Sequence, residues 1–240
     1  MVRPAGAARS PAALLFHGCG GRRPFLDDYA AALAARGVAS VIVDSFAARG
    51  WSRARALATV CTGVELPGHR RAGDVLATLW GVKTLPGIDA SRLALAGWSH
   101  GGWSIMDLMT MALTRPGEAG LADPDPGLLS PVRALVLAYP YCGPGALSQL
   151  RPWRRAPDVL AFVGERDRVA HPALCRRAFA RAGRVGARVD SWYPDATHAF
   201  DEKSGGLTPF RYDPDLALAA QDRVAAYLAE RLDADSPPSD

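Results

Sequence analysis

Apolar residues along the chain fall into short unbroken runs, separated by stretches in which they recur every three or four positions. The runs at 11–16, 38–43, 93–96, 132–138 and 159–163 read as buried strands, because a strand covered on both faces has no polar side to alternate with, and 187–192 reads as the last strand. Helices are expected between them. One runs from Pro24 to Gly37 through Tyr29, Ala32 and Leu33, with proline in the first turn and glycine past the last. Arg70 to Trp80 carries Val75, Leu76, Leu79 and Trp80 on one side, and Trp103, Ile105, Met106, Met109 and Leu113 follow Ser99 at helical spacing. Residues 171–182 and 212–232 give the last two helices, while 45–51, 61–67, the Gly/Pro/Asp-rich 116–131 and the Pro/Arg-rich stretch to Pro157 read as loops.

Strands that alternate with helices imply right-handed crossovers and a mostly parallel sheet with helices on both faces, an α/β fold. No internal repeat or second domain is visible, so residues 1–240 are expected to form a single domain, with 233–240 as a flexible tail. In such sheets ligands bind at the carboxyl ends of the strands, which directs attention to the loops that follow residues 16, 98, 163 and 193.

Composition removes several function classes. With 49% apolar and 22% charged residues, the chain can build a sizeable core. The net charge of +4 comes mostly from scattered arginines. Clusters at Arg151, Arg154, Arg155 and at Arg176, Arg177, Arg181, Arg184 read as solvated surface, so no nucleic-acid partner is expected. No unbroken apolar run approaches the ~18 residues of a membrane span and no secretory leader is visible, so a cytoplasmic protein with reduced thiols is expected, without membrane partner. Cys19, Cys61, Cys142 and Cys175 lie far apart without C-x-x-C spacing, which supports neither a zinc site nor a redox motif. Spacing leaves open whether Cys61 and Cys142 pair. No metal and no cofactor are expected.

The chemistry centres on Gly97-Trp98-Ser99-His100-Gly101, which follows one strand and opens a helix. A serine hydroxyl becomes a useful nucleophile when it is held out from the backbone beside a base and main-chain donors, and a sharp strand-to-helix turn does this. A base and an orienting acid are then required, later in the chain and in the order acid, base. Asp167 follows the strand ending at Val163, and His198 follows the one ending near Tyr193. His198 is therefore the candidate base and Asp167 the candidate acid, with Asp195 and Asp158 as rivals. Main-chain N–H groups of His100 and Cys19, the latter in the glycine-rich turn after the first strand, are the candidate oxyanion donors. The His17 and His100 side chains read as structural, and His69 and His171 as surface residues.

Five segments taken together, His17-Gly18-Cys19-Gly20-Gly21, Val43-Asp44-Ser45-Phe46-Ala47-Ala48-Arg49-Gly50, Gly97 to Gly102, Gly164-Glu165-Arg166-Asp167 and Thr197-His198-Ala199-Phe200, resemble the dienelactone hydrolase family of the α/β-hydrolases. The resemblance implies an α/β-hydrolase fold, here with the N-terminal strands shortened or absent. It also implies metal-free cleavage of a small ester or lactone through an acyl-enzyme, with Ser99, Asp167 and His198 as the triad. The best-known members carry cysteine where this chain has Ser99. Arginines that bind a substrate carboxylate in the family suggest Arg49, with Arg22 and Arg53 as alternatives. Trp98, Tyr141 and Phe200, beside Trp51 and Trp153, are the candidate apolar walls. The expected partner is a small-molecule substrate, bound by a monomer or homodimer. Two other readings remain: a small-peptide or amide hydrolase, and a silent protein of the same fold that only binds a ligand.

Overall fold

A computed structural model describes residues 1–203 and 210–233. Its centre is a six-stranded, all-parallel sheet in the order β2-β1-β3-β4-β5-β6. The strands are β1 (Ser10–Phe16), β2 (Ala39–Val43), β3 (Ile88–Trp98), β4 (Val132–Ala138), β5 (Asp158–Phe162) and β6 (Arg188–Trp192). The helices are α1 (Phe25–Ala35), α2 (Arg53–Arg55), α3 (Gly68–Gly81), α4 (His100–Met109), α5 (Pro172–Gly183) and α6 (Pro214–Leu232). β1 pairs in register with β2 on one side, Leu14 opposite Val41, and with β3 on the other, Leu14 opposite Leu95. Strand order therefore reverses at β1, and with right-handed crossovers α1 goes to one face and α3, α4 and α5 to the other. Contacts agree: α1 packs against α6, and α3 against α4. The carboxyl ends of β1 and β3, neighbours at this reversal, are where such a sheet opens a crevice.

The unbroken apolar runs are strands because both faces are covered. Leu14, Leu15, Leu95, Ala96, Val136 and Leu137 are all fully buried, each worth about 1–3 kcal/mol of transfer free energy for its larger side chains. β3 reaches further back than the run at 93–96 because Ser10 pairs with Ile88 across a register shift, a tertiary pairing that does not need an apolar sequence. The segment after β2 is more ordered than a loop: α2 continues as a π-helical turn, Ala56–Val60. Trp80, expected on the buried side of α3, is instead 68% exposed, since the helix buries the stripe Ala72, Val75, Leu76 and Leu79 and Trp80 lies one step beyond it. α4 ends at Met109, short of Leu113. Val2 forms an isolated antiparallel bridge with Ser40 of β2. The tail expected at 233–240 lies, beyond Asp233, outside the described residues.

The expectation of reduced thiols is overturned. Cys19 is bonded to Cys61 and Cys142 to Cys175, with Cα–Cα separations of 4.9 and 5.3 Å. Partners 42 and 33 residues apart are invisible to spacing; the first pair forms because the turn after β1 folds against the end of the π turn. The Cys61–Cys142 pairing left open by spacing does not occur. Among the described residues no helix is long and apolar enough to cross a membrane.

Candidate active site

β3 carries its chain straight into α4, and the joint leaves almost no room. A Cβ on Gly97 would stand 2.5 Å from the Gly101 carbonyl carbon, and one on Gly101 would run into the Phe16 carbonyl at the end of β1. Two glycines let strand, turn and helix close on one another. Between them Ser99 takes φ 51° and ψ −112°, a conformation costing on the order of 1–3 kcal/mol for a non-glycine residue and kept only where the surroundings impose it. Here they do: Ser99 N–H donates to the Ala138 carbonyl at 2.9 Å, and its own carbonyl accepts from Trp103 N–H at 3.0 Å and Tyr141 N–H at 3.3 Å.

The strained turn points Ser99 Oγ at His198, whose Nε2 is 2.9 Å away. The other ring nitrogen, Nδ1, is 2.7 Å from Asp167 Oδ2. An ionised carboxylate only accepts, so the proton belongs on Nδ1 and Nε2 is free to accept from the serine hydroxyl. Burial works to raise the Asp167 pKa, but the hydrogen bond and charge of His198 and the N–H groups of Ala170 and Val169 outweigh it, and the carboxyl is held below its ordinary value. Those N–H groups reach Oδ1 at 2.8 and 2.7 Å. The two loops are tied together, with Glu165 N–H donating to the Pro194 carbonyl at 2.8 Å and Arg166 N–H to the Ala196 carbonyl at 3.0 Å. The rival acids are engaged elsewhere: Asp195 is 80% exposed and ion-paired with Arg166, and Asp158, at the opposite end of its strand, pairs with Arg188 and Arg231.

Cys19 and His100 both border the cavity above Ser99, and among the described residues neither main-chain N–H makes a hydrogen bond. Two unsatisfied donors beside a nucleophile can receive a negative oxygen. His171 stays at the surface. His17 bonds within its turn, its Nδ1 2.6 Å from the Gly18 carbonyl and its Nε2 accepting from Ser45 N–H at 3.2 Å.

The substrate-binding residues expected from the sequence divide sharply. Tyr141 lines the cavity of about 350 Å³ that opens over Ser99. Trp98 and Phe200 do not. Both are fully buried: Trp98 alternates to the covered face of β3 and donates from Nε1 to Asp201 at 3.2 Å, and Phe200 packs among Tyr139, Phe162 and Trp192. Asp201, also buried, accepts from Tyr29 and Tyr139 at 2.6 Å each and so fastens the His198 loop beneath the ends of β3 and β4. Arg49 is spent on a two-pronged ion pair with Asp74 at 2.7 and 2.9 Å and does not face the cavity. Arg22 pairs with Asp27. Trp51 packs on Phe46, and Trp153 is buried in the core.

The cavity is instead walled by Trp103, Val169, His69 and the Cys19–Cys61 disulfide as well as Tyr141. Trp103 sits one helical turn after the serine, where an apolar residue at core spacing reads as core. His69 reads as surface, yet the first turn of α3 carries it to the cavity wall. A separate cleft of about 230 Å³, lined by Arg168, Val169, Thr197 and Phe210, opens on another side of His198. The disulfide at the cavity wall closes a 42-residue span. Replacing Cys19 and Cys61 together by serine is expected to lower unfolding free energy by about 2–4 kcal/mol in a denaturant titration, whereas an unchanged midpoint would mean that the two sulfurs do not pair in solution.

No family model matches the sequence, and no curated protein matches it. Solved structures do match the fold. A dienelactone hydrolase-like promiscuous phosphotriesterase from metagenomic libraries is 18% identical, with a TM-score of 0.65 over 95% of this chain and 89% of that one. Thermogutta terrifontis esterase 2 phosphonylated by cyclosarin is 17% identical, with a TM-score of 0.66 over 95% and 86%. Est1E from Butyrivibrio proteoclasticus with ferulic acid bound is 14% identical, with a TM-score of 0.58 over 96% and 93%. The chain has the α/β-hydrolase fold that these proteins share.

Proposed function

We propose that this chain is a serine hydrolase that cleaves a small carboxylic ester or lactone through an acyl-enzyme. The observation that carries the reading is the unbroken line from Ser99 Oγ to His198 Nε2 at 2.9 Å and from His198 Nδ1 to Asp167 at 2.7 Å, set on a serine whose backbone is strained outward. His198 takes the hydroxyl proton as Ser99 Oγ bonds to the carbonyl carbon, and Asp167 holds the ring and offsets the charge it gains. The carbonyl oxygen becomes an oxyanion facing the N–H groups of Cys19 and His100. Collapse breaks the bond to the leaving oxygen, which receives the proton from His198. A water then repeats the sequence on the acyl-enzyme, with His198 again as base, and releases the acid.

A cavity of about 350 Å³ walled by Trp103, Tyr141 and Val169 suits a short or aromatic acyl group, and the cleft on another side of His198 suits the departing alcohol. All of these groups come from one chain, so a monomer or a homodimer carries a complete site. No metal or cofactor enters the reaction. Esterase and phosphotriesterase neighbours on the same fold support ester chemistry.

The test is intact-protein mass spectrometry after exposure to a fluorophosphonate, beside turnover of p-nitrophenyl acetate and butyrate. One adduct mapped to Ser99 is the expected outcome. A folded protein with no adduct and no turnover would leave only ligand binding.

A further inference from the structure

The most unusual charge in the molecule is Arg71. Its side chain is completely buried in the first turns of α3, and no carboxylate lies within ion-pairing distance of it among the described residues, since Asp74 is engaged by Arg49 and Asp44 accepts from the N–H groups of Phe46 and Ala47. A buried cation with no carboxylate in direct contact is costly, and Asp74 and Asp44 act on this one only from farther away. Burial lowers its pKa, with Asp74 and Asp44 working against that and Arg49 adding to it, to about 10, so the guanidinium remains charged at neutral pH.

Its neighbours show what it serves. Nη1 donates to His100 Nδ1 at 3.1 Å, and Nε donates to Ser45 Oγ at 3.1 Å. Nη2 lies 3.2 Å from His17 Nδ1, the ring nitrogen that faces the Gly18 carbonyl, and the Phe46 ring lies 5.6 Å beneath the guanidinium. His100 and the turn His17-Gly18-Cys19 are the two chain segments that carry the proposed oxyanion donors. One fixed, planar cation thus touches both halves of the hole from behind, where the cavity does not reach. It also keeps the two imidazoles neutral: burial first, and the charge of Arg71 second, hold His17 down at about 3 and His100 well below its ordinary value. Neutral rings leave the guanidinium as the positive charge in contact with both segments of a site where negative charge develops.

We propose that Arg71 is a positioning residue for the oxyanion hole: bonded to His100 and Ser45 and packed on His17, it sets the separation of the Cys19 and His100 N–H groups and adds a buried positive charge behind them. The inference rests on the serine-hydrolase reading and deepens it. A group that acts only on the oxyanion stabilises the transition state and not the bound ester, so its loss falls on kcat.

The experiment compares wild type, Ser99→Ala, Arg71→Lys, Arg71→Met and Ser45→Ala in p-nitrophenyl ester turnover, with circular dichroism as the check on folding and fluorophosphonate labelling rate as a second readout. Arg71→Met is expected to lose about 100-fold in kcat and Arg71→Lys, which keeps the charge without the planar fork, about 10-fold. KM should stay within about twofold in both, and labelling should slow in parallel because the phosphonyl oxygen occupies the same hole. Ser45→Ala, which removes the acceptor for Nε and leaves the core volume nearly unchanged, is expected to lose about threefold in kcat, and it carries the test if the Arg71 variants do not fold. Folded variants with wild-type kcat, or a loss confined to KM, overturn the proposal. Wild type without Ser99-dependent turnover overturns the hydrolase reading and this proposal with it, a result distinct from an active wild type indifferent to Arg71.

Discussion

Ser99→Ala is expected to lower p-nitrophenyl ester turnover by about 10⁴-fold or more while the protein unfolds at or above the wild-type midpoint. Both halves follow from the same geometry. The hydroxyl is the atom that forms the covalent bond, so no other group replaces it. Alanine keeps the backbone conformation and removes one half-buried oxygen, and the partner it leaves, His198 Nε2, belongs to a ring that borders the adjoining cleft. His198→Ala is expected to cost about as much, and the double variant no more than either single one, because the two groups act as a unit. Asp167→Asn is expected to cost about 10³ to 10⁴ in kcat, since a donor at Oδ2 favours the tautomer with its proton on Nε2. Fully additive losses in the double variant, measured by kcat under saturating ester, would mean that serine and histidine act independently and would break the relay.

Gly101→Ala is expected to produce the largest loss of stability among single changes at the site, about 3 kcal/mol, the upper end of ordinary overpacking costs. A methyl there meets the Phe16 carbonyl, which is main chain at the end of a central strand and cannot rotate away. Relief requires α4 to lift from β1, and that moves Ser99 and His100 together. Activity should therefore fall along with stability. Gly183→Ala, at the end of α5 with open space around it, is the control and should change stability by no more than about 1 kcal/mol. Guanidinium titrations of the two variants compare them directly; equal midpoints would show that the contact between α4 and β1 yields more easily than its geometry implies.

How much of this was legible in the chain depended on whether a signal was local. Five apolar runs read as strands because burial on both faces leaves the same mark whatever the neighbours are, the mixed and largely exposed edge strand β6 reads as one by its place after α5, and the alternation with helices makes the sheet parallel. Helices α3 and α4 differ from the reading only near their ends: Trp80 lies one residue beyond the buried stripe and turns to solvent, while Leu113 is buried in the core but lies past the last turn of α4. His198 and Asp167 could be placed beside Ser99 because each follows a strand end, and a parallel sheet delivers every such loop to one edge.

Wall and support residues were another matter. Trp98 and Phe200 sit beside Ser99 and His198 in sequence, which suggests a place in the pocket, and Arg49 is suggested by the resemblance alone. Strand alternation sends Trp98 to the opposite side of the sheet, Asp201 gathers it with two tyrosines, and Arg49 meets the carboxylate of Asp74 on α3, 25 residues further along the chain. His69 and Trp103, read as surface and as core, meet across the cavity because α3 packs on α4.

Local patterns in the chain carry the α/β class, the order of the elements and the edge at which chemistry collects, because periodicity, glycine-bounded turns and strand ends are properties of residues a few positions apart. Which cysteines bond, which aromatics wall the cavity, and the burial of Arg71 behind His17 and His100 follow from long-range packing. Those are contacts between residues dozens of positions apart, and a side chain carries no local mark of the partner that burial will bring to it.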